Sequence, residues 1–316
     1  MRVCAILNPR AGLAAQRALA ALEQSRPAWG ALKVTLTRYA GHARELAEAA
    51  AEEGYELVLA AGGDGTANEV ASGLLGSRTA FAVVPVGSGN GLARTLRIPR
   101  DPWRALALLE TGVPRKMDIG LANGRPFLNV VGAGLDAEVG AAFHARGLRG
   151  GRRGILPYVL IAFSRAVSYR APQWSLDAGG ERVSKRATIV AFVNGREWGA
   201  SAVIAPGARL DDGLLDIIVI DETPYLEMLL NAPRLWLGMI EGFRRYRRIA
   251  APEATLTAEA PFIHHRDGEP EEASASLTVT VRPRVLEVLV PRVTAEDPRG
   301  PFISGVSETG DFGTHC

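Results

Sequence analysis

The sequence predicts a parallel α/β domain followed by a mostly antiparallel, β-rich domain, and three observations carry that reading. The first third alternates short β-type runs with helical patterns, the signature of a parallel sheet with helices on both faces. From about Asn123 onward, β-rich runs separated by Gly, Pro and Asp take over. Two of the early strands each run directly into a glycine loop that precedes a helical pattern.

In chain order, VCAIL (3–7) ends in Asn8-Pro9 and is followed by an Ala-rich helical stretch. KVTLT (33–37) leads to the helical ARELAEAAAEE, and ELVLA (56–60) to ANEVASGLL. AFAVVPV (80–86) then leads through a glycine loop to LARTL and WRALALLETG. In the second part FLNVVGAG, WSLDAG, ATIVAFVNG, LLDIIVID, SLTVTV and VLEVLV read as strands, with few helical interruptions. These shifts set expected boundaries of 1–122, 123–293 and a Gly-, Ser-, Thr- and Pro-rich flexible tail at 294–316.

At 316 residues the chain is long enough for two domains with cores of their own. Its 47% hydrophobic and 22% charged content excludes a disordered chain, and a net charge of +2 names no polyanionic partner such as nucleic acid. Two cysteines, Cys4 and Cys316, form no CxxC pair, which argues against a zinc ribbon or a disulfide framework. The longest apolar candidates, ILPYVLIAF and LEMLLNAPRLWLGMI, are too short or interrupted to cross a bilayer. A cytosolic protein is the expectation.

The glycine loops carry the chemistry. Gly62, Gly63, Asp64, Gly65 and Thr66 follow the ELVLA strand and precede a helix expected to begin near Thr66. Glycines admit a ligand close to the backbone, and a helix start offers free N–H groups to an anion. Asp64 would repel a phosphate unless a metal or a proton stood between them, which hints at Mg²⁺. A tight turn with Asp64 as helix cap accounts for the same residues. The second loop, Gly87-Ser88-Gly89-Asn90-Gly91, ends the neighbouring strand and would build one cradle with the first. No GxxxxGK[ST] occurs, so this is not a Walker-type loop.

These residues resemble the diacylglycerol kinase catalytic-domain family, which includes bacterial soluble lipid kinases and sphingosine kinases. The landmarks come in the family's order over about residues 3–293: Asn8-Pro9 with Gly12, Thr37 with Gly41-His42-Ala43, GGDGTANEV, PVGSGNGLARTLRIP, MDIG (117–120), APGARLDDGLLD (205–216) and RDGEP (266–270). The resemblance implies a three-layer α/β ATP-binding domain and a C-terminal β-sandwich that takes the lipid. It places Thr37, Gly62, Gly63, Asp64, Gly65, Thr66, Ala67, Asn68, Gly87, Ser88, Gly89 and Asn90 at ATP. It gives Asp64 and Asp118 to the catalytic Mg²⁺ through water, and Asp267 and Glu269 to the general base. The Asp212 carboxylate with the Arg209 and Leu214 carbonyls matches a structural Mg²⁺ site; a plain β-turn is the alternative for DDG.

Two departures bear on the Mg²⁺ network, and the first also on substrate. Gly91 stands where many bacterial members carry an aspartate, as sphingosine kinases also place a small residue there, and NPRAGLA lacks a lysine common after the opening motif. Diacylglycerol is the first expected acceptor, a sphingoid base or other long-chain lipid the second, and a nucleotide-binding protein without catalysis the third. NAD kinases share a GGDGT-type loop, but the DDG loop and RDGE argue against one.

Some signals remain. Gly132-x-Gly134-x-x-Ala137 mimics a dinucleotide fingerprint, but no acid follows between Glu138 and Asp177 to take a ribose. Asp136 sits near where sphingosine kinases recognise a polar lipid head; a helix cap is the other reading. Arg146, Arg149, Arg152 and Arg153 precede the apolar ILPYVLIAF, with Arg165 and Arg170 beyond. That basic loop suits contact with an anionic membrane or simple solvation. The Met228 to Ile249 segment poses a similar choice, with core packing favoured for its aromatic face. His264-His265 read as flanking residues of the catalytic strand, since neighbours in a strand point oppositely.

Overall fold

The computed structural model of the protein describes residues 1–25, 30–145, 164–165, 167–199 and 201–303. The basic loop and the ILPYVLIAF run, at 146–163, lie outside them, as do 304–316. Contacts divide the chain into one unit of Met1–Asp118, Arg209–Asp212 and Arg284–Cys316, and a second of Ile119–Ala208 and Gly213–Pro283.

In the first unit β1 (Arg2–Leu7), β2 (Ala31–Leu36), β3 (Leu57–Gly62) and β4 (Ala80–Pro85) are parallel, in the order β4-β3-β1-β2. Every residue of β3 and of β4 is buried, which explains why their sequences show no polar alternation. β2 lies at the edge, and its residues alternate between exposed and half-buried along most of its length. The crossover helices α1 (Leu13–Ser25), α2 (His42–Glu52) and α3 (Asp64–Leu74) bury small residues, including Ala18, Ala21, Ala47, Ala50 and Ala71. Gly73 of α3 has no room for a methyl group: a Cβ there would lie 2.5 Å from the Arg44 carbonyl. Short helices α4 (Gly91–Thr95), α5 (Pro102–Leu106) and α6 (Leu108–Thr111) follow β4.

Residues 294–303 are not a frayed tail. Thr294 donates from Oγ1 to the Leu96 carbonyl at 2.8 Å, Arg97 pairs with Asp297 at 2.6 Å, and Phe302 is wholly buried with the Arg115 guanidinium 5.2 Å from its ring. One buried aromatic and a few directed bonds hold what composition alone marked as disordered.

The second unit is an antiparallel sandwich, as expected. After β5 (Val113–Ala122) come β6 (Arg125–Phe127), β7 (Val130–Gly134), α7 (Leu135–Ala145), β8 (Gln173–Ala178) and β9 (Glu181–Val193). Next are β10 (Glu197–Gly199), β11 (Ala202–Val203), β12 (Leu215–Asp221), α8 (Tyr225–Asn231), α9 (Pro233–Trp236), β13 (Tyr246–Ala251) and β14 (Glu253–Phe262). β15 (His264–Arg266), β16 (Glu269–Pro270) and β17 (Ser274–Val290) complete the order; from Arg284 onward β17, and then α10 (Arg292–Ala295), belong to the first unit. β9 serves both layers: Glu181 to Arg186 pair with β8, and Ala187 to Val193 pair with β12. β12 alternates its contacts. Ile217 and Val219 join Trp174, Phe192, Leu256 and Leu277 in one core, whereas Ile218 and Ile220 join Leu135, Val139 and Phe243 in another. A strand buried on both faces needs the unbroken apolar run IIVI at 217–220; each such Ile or Phe contributes about 1.5–3 kcal/mol by leaving water.

Among the described residues no helix is long and apolar enough to cross a membrane.

Candidate active site

Four sequence motifs meet at the carboxyl ends of β1 to β4, and hydrogen bonds join them. After β1, Asn8 donates from Nδ2 to Thr66 Oγ1 at 3.2 Å. After β2, the Thr37 N–H donates to the Leu7 carbonyl at 2.9 Å. Glu69 of α3 accepts the Gly41 and Ala43 N–H groups at 2.9 and 3.1 Å, so one carboxylate caps the start of α2 from 28 residues away. The sequence did not single out Glu69; the only signal was a glutamate on the helix face toward GHA.

The two glycine loops are in direct contact. A Cβ at Gly87 would lie 2.5 Å from Gly63 Cα and 2.8 Å from Asn90 Oδ1, so backbone crosses backbone where no side chain fits. Asn90 (φ 55°) locks the second loop, accepting the Gly87 N–H at 3.1 Å and donating to its carbonyl at 2.6 Å. α3 begins at Asp64, two residues before the expected start, with Gly63 at the cap position and no side-chain cap bond. Asp64 is therefore not the cap of its own helix. Its Oδ1 instead lies 3.4 Å from the Leu92 N–H at the head of α4, and a Cβ at Gly89 would come within 2.7 Å of its Oδ2. Thr66, Ala67 and Asn68 are buried, and Asn68 Oδ1 lies 3.4 Å from Ser72 Oγ; Gly65 and Ser88 are exposed.

Asp118, wholly buried, accepts the Arg284 N–H at 2.7 Å and donates its own N–H to the Leu210 carbonyl. In the RLDDG loop the buried carboxylate is Asp211, which accepts the Ile303 N–H at 2.8 Å and faces Arg115 at 3.5 Å. Asp212 is half-buried, and the Arg209 guanidinium donates to the Phe302 and Pro298 carbonyls. Leu214 belongs to the second unit. Among the described residues no group of three or more His, Cys, Asp or Glu is set to hold a metal.

In the second unit β15 and β16 form a hairpin with Arg266 opposite Glu269. Its two turn residues, Asp267 (φ 49°) and Gly268 (φ 85°), are both left-handed, the conformation for which Asp-Gly is the favoured pair. The Asp267 carboxylate accepts the Leu128 and Asn129 N–H groups at 2.8 Å and that of Val130 at 3.0 Å. Both Asp267 oxygens are engaged by backbone; of the two expected bases, Glu269 is the exposed one.

Behind the turn lies a pair that the sequence reading missed. Asp136 Oδ2 is 3.0 Å from His265 Nε2, both side chains being buried. The Gly268 N–H points at His265 Nδ1 from 3.4 Å, which leaves the ring proton on Nε2 to donate to Asp136. Gly132 makes the room, because a Cβ there would collide with both partners; close packing accounts for that glycine. Asp136 Oδ1 is buried without a hydrogen-bond partner. Asp136 is thus tied to the hairpin rather than capping α7. Burial holds the neighbouring His264 below the usual histidine range.

Beside α7 a cavity of about 760 Å³ is lined by Ala141, Ala142, Trp174, Phe262 and Ile263, with Glu138 at its wall. Burial pushes the Glu138 carboxyl up, opposed by Arg165.

A three-layer α/β unit with interlocked glycine loops, joined in one chain to a sandwich with an Asp-Gly-Glu hairpin, defines a class of kinase. Residues 2–122 match the diacylglycerol kinase catalytic domain, and residues 129–290 match the YegS C-terminal NAD kinase beta sandwich-like domain. A "Probable lipid kinase YegS-like" of Pseudomonas aeruginosa (strain PAO1) is 32% identical over 277 residues, covering 86% of this chain and 89% of that protein. A "Diacylglycerol kinase" of Bacillus subtilis (strain 168) is 32% identical over 196 residues, 61% of this chain and 64% of that one. A crystal structure from Bacillus anthracis str. Sterne matches with TM-score 0.79 at 24% identity, over 92% of this chain and 96% of that chain; at that identity it speaks to the fold alone. The chain belongs to the diacylglycerol kinase catalytic-domain family of lipid kinases.

Proposed function

We propose that the protein transfers the γ-phosphoryl group of ATP, with Mg²⁺, to the hydroxyl of a membrane lipid, diacylglycerol first. The observation that carries this reading is the crossing of Gly63 and Gly87, next to Gly65, where a Cβ would meet nothing within 4 Å. That open space sits over the first turn of an 11-residue helix whose leading N–H groups have no intrahelical partner. A phosphate chain fits there, bordered by Ser88 and the Asn8–Thr66 bond.

ATP and Mg²⁺, when bound, supply the phosphoryl group and neutralise the charge that develops on it. Mg²⁺ takes most of its ligands from water and phosphate and needs only one or two carboxylates. Asp64, held at the head of α4, fits that role. Asp118, with no exposed surface, fits an indirect one. The Asp212 carboxylate with the Arg209 carbonyl is the candidate structural cation site within the first unit. Glu269 takes the proton from the attacking hydroxyl, while Asp267 and His265 hold its hairpin. The cavity beside α7 is within the size range of ligand pockets and suits an acyl chain.

A second acceptor is favoured by the unpartnered Asp136 Oδ1, which suits a cationic or hydroxylated head such as a sphingoid base. The deciding experiment measures γ-phosphate transfer to mixed micelles of diacylglycerol, monoacylglycerol, sphingosine or ceramide, with and without Mg²⁺. Mg²⁺-dependent labelling of diacylglycerol is expected. Labelling of sphingosine alone would transfer the assignment to the second acceptor, and ATP binding without any labelled lipid would overturn both.

A further inference from the structure

The apolar surface of the second unit is concentrated in one short stretch. Leu226, Leu229, Leu230, Trp236, Leu237 and Met239 are between 46% and 71% exposed. Among the described residues of that unit, Val167 is the one other large apolar side chain so exposed. Leu226, Leu229 and Leu230 stand at i, i+3 and i+4 of α8, the spacing of a single helix face. Such a face is normally the one turned inward. Here the inward contacts come from elsewhere: Met228 of α8 and Leu235 of α9 pack against the Leu135–Ile218–Phe243 core. Neither helix has a buried residue. The helix pair therefore carries two apolar faces, and only one is used by the fold.

Charge around the outer face says what covers it. From Tyr225 to Arg248 there are five arginines and two glutamates, and no aspartate or lysine. Of the glutamates, Glu227 is drawn in, its side chain 20% exposed between Arg244 and Arg245 at 2.9 Å each. The Arg244 side chain beyond it is 74% exposed. Of the five arginines, Arg247 pairs with Glu181 and Arg248 with Asp216, which leaves Arg234 and the outward-reaching Arg244 to supply positive charge beside the leucines and Trp236. That combination matches a surface that is apolar inside and anionic at its head groups. We infer that the outer face of α8 and α9 docks the protein on an anionic lipid surface. This rests on the reading that the acceptor is a membrane lipid, and it names the surface by which the chain reaches it.

The test uses the full chain and sedimentation with vesicles of phosphatidylcholine alone or mixed with phosphatidylglycerol. The wild type is expected to partition onto the mixed vesicles and to be released by salt. Leu226→Ser/Leu229→Ser/Leu230→Ser should weaken that partition by at least about tenfold, since three side chains lose their apolar burial. Arg234→Glu, a separate variant, should weaken it by a smaller factor and flatten the salt dependence. Because the three leucines are exposed, the triple variant should melt like the wild type. Arg234 is half-buried, so the melting temperature of Arg234→Glu is checked alongside, and both variants should phosphorylate a short-chain, monomeric acceptor at the wild-type rate. Vesicle binding that survives the triple substitution overturns the proposal. So does a wild type that ignores vesicles but self-associates through these leucines, which would make the face a protein contact. Vesicle binding lost in the triple variant, in a protein that labels no lipid, would support the docking surface while sinking the acceptor reading.

Discussion

The two units fix their site residues by opposite means. In the first, backbone crosses backbone: Gly63 and Gly87 meet where a single added carbon would lie 2.5 Å from a Cα. In the second, side chains hold backbone: Asp267 gathers three N–H groups, and His265 links the turn to Asp136. The first arrangement is sensitive to atoms gained and the second to atoms lost. A site made of crossing main chain suits a ligand recognised through phosphates, which want N–H donors and proximity. A site hung on side chains can be re-aimed by substitution.

The contrast can be broken at four positions. Asp64→Asn keeps the shape of the first site and removes its charge; phosphotransfer should fall by about 10³-fold, with an unchanged melting temperature. Near-normal turnover in that variant would remove Asp64 from the reaction. Asp267→Ala leaves three N–H groups of buried residues without an acceptor and should cost about 3 kcal/mol in urea unfolding. Asp267→Asn, which keeps an acceptor oxygen, should recover part of that loss, and equal losses would mean the three bonds are not the cause. Gly87→Ala should cost about 2 kcal/mol by overpacking and also depress ATP affinity, read by nucleotide titration. If the methyl group is tolerated, the loops do not depend on their crossing. His265→Gln should be mildest, about 1 kcal/mol, lowering kcat through a less fixed Glu269 while leaving the KM for ATP as it was. An altered ATP KM would place His265 in a different role.

What could be read in advance followed from contiguity. β3 and β4 are buried at all six positions, so their sequences announce them, and the glycine loops are adjacent in sequence to the strands they end. The start of α3 was misplaced because Gly63 caps it by backbone alone, without the Ser, Thr or Asp that marks most helix starts. The Asp136–His265 pair spans 129 residues and exists only because β7 and β15 align Gly132 with His265. No local pattern encodes that register. Asp267 and Glu269 were both visible as carboxylates, but which one is engaged depends on a left-handed turn aimed at residues 128–130. Phe302 was hidden for a simpler reason: one aromatic among Gly, Pro and Ser does not register as a core.

The contact division has the chain pass from one unit to the other four times, at 118/119, 208/209, 212/213 and 283/284. No single cut can therefore release either unit whole. A truncation after residue 122 would leave the first unit without the Val288 partner of Phe81, the Arg284 N–H that Asp118 receives, and Phe302. In genetic terms the second unit is an insert with its host gene on both sides. It cannot be exchanged by fusing ends, and replacing the internal segment 119–283 would carry Arg209–Asp212 of the first unit along with it.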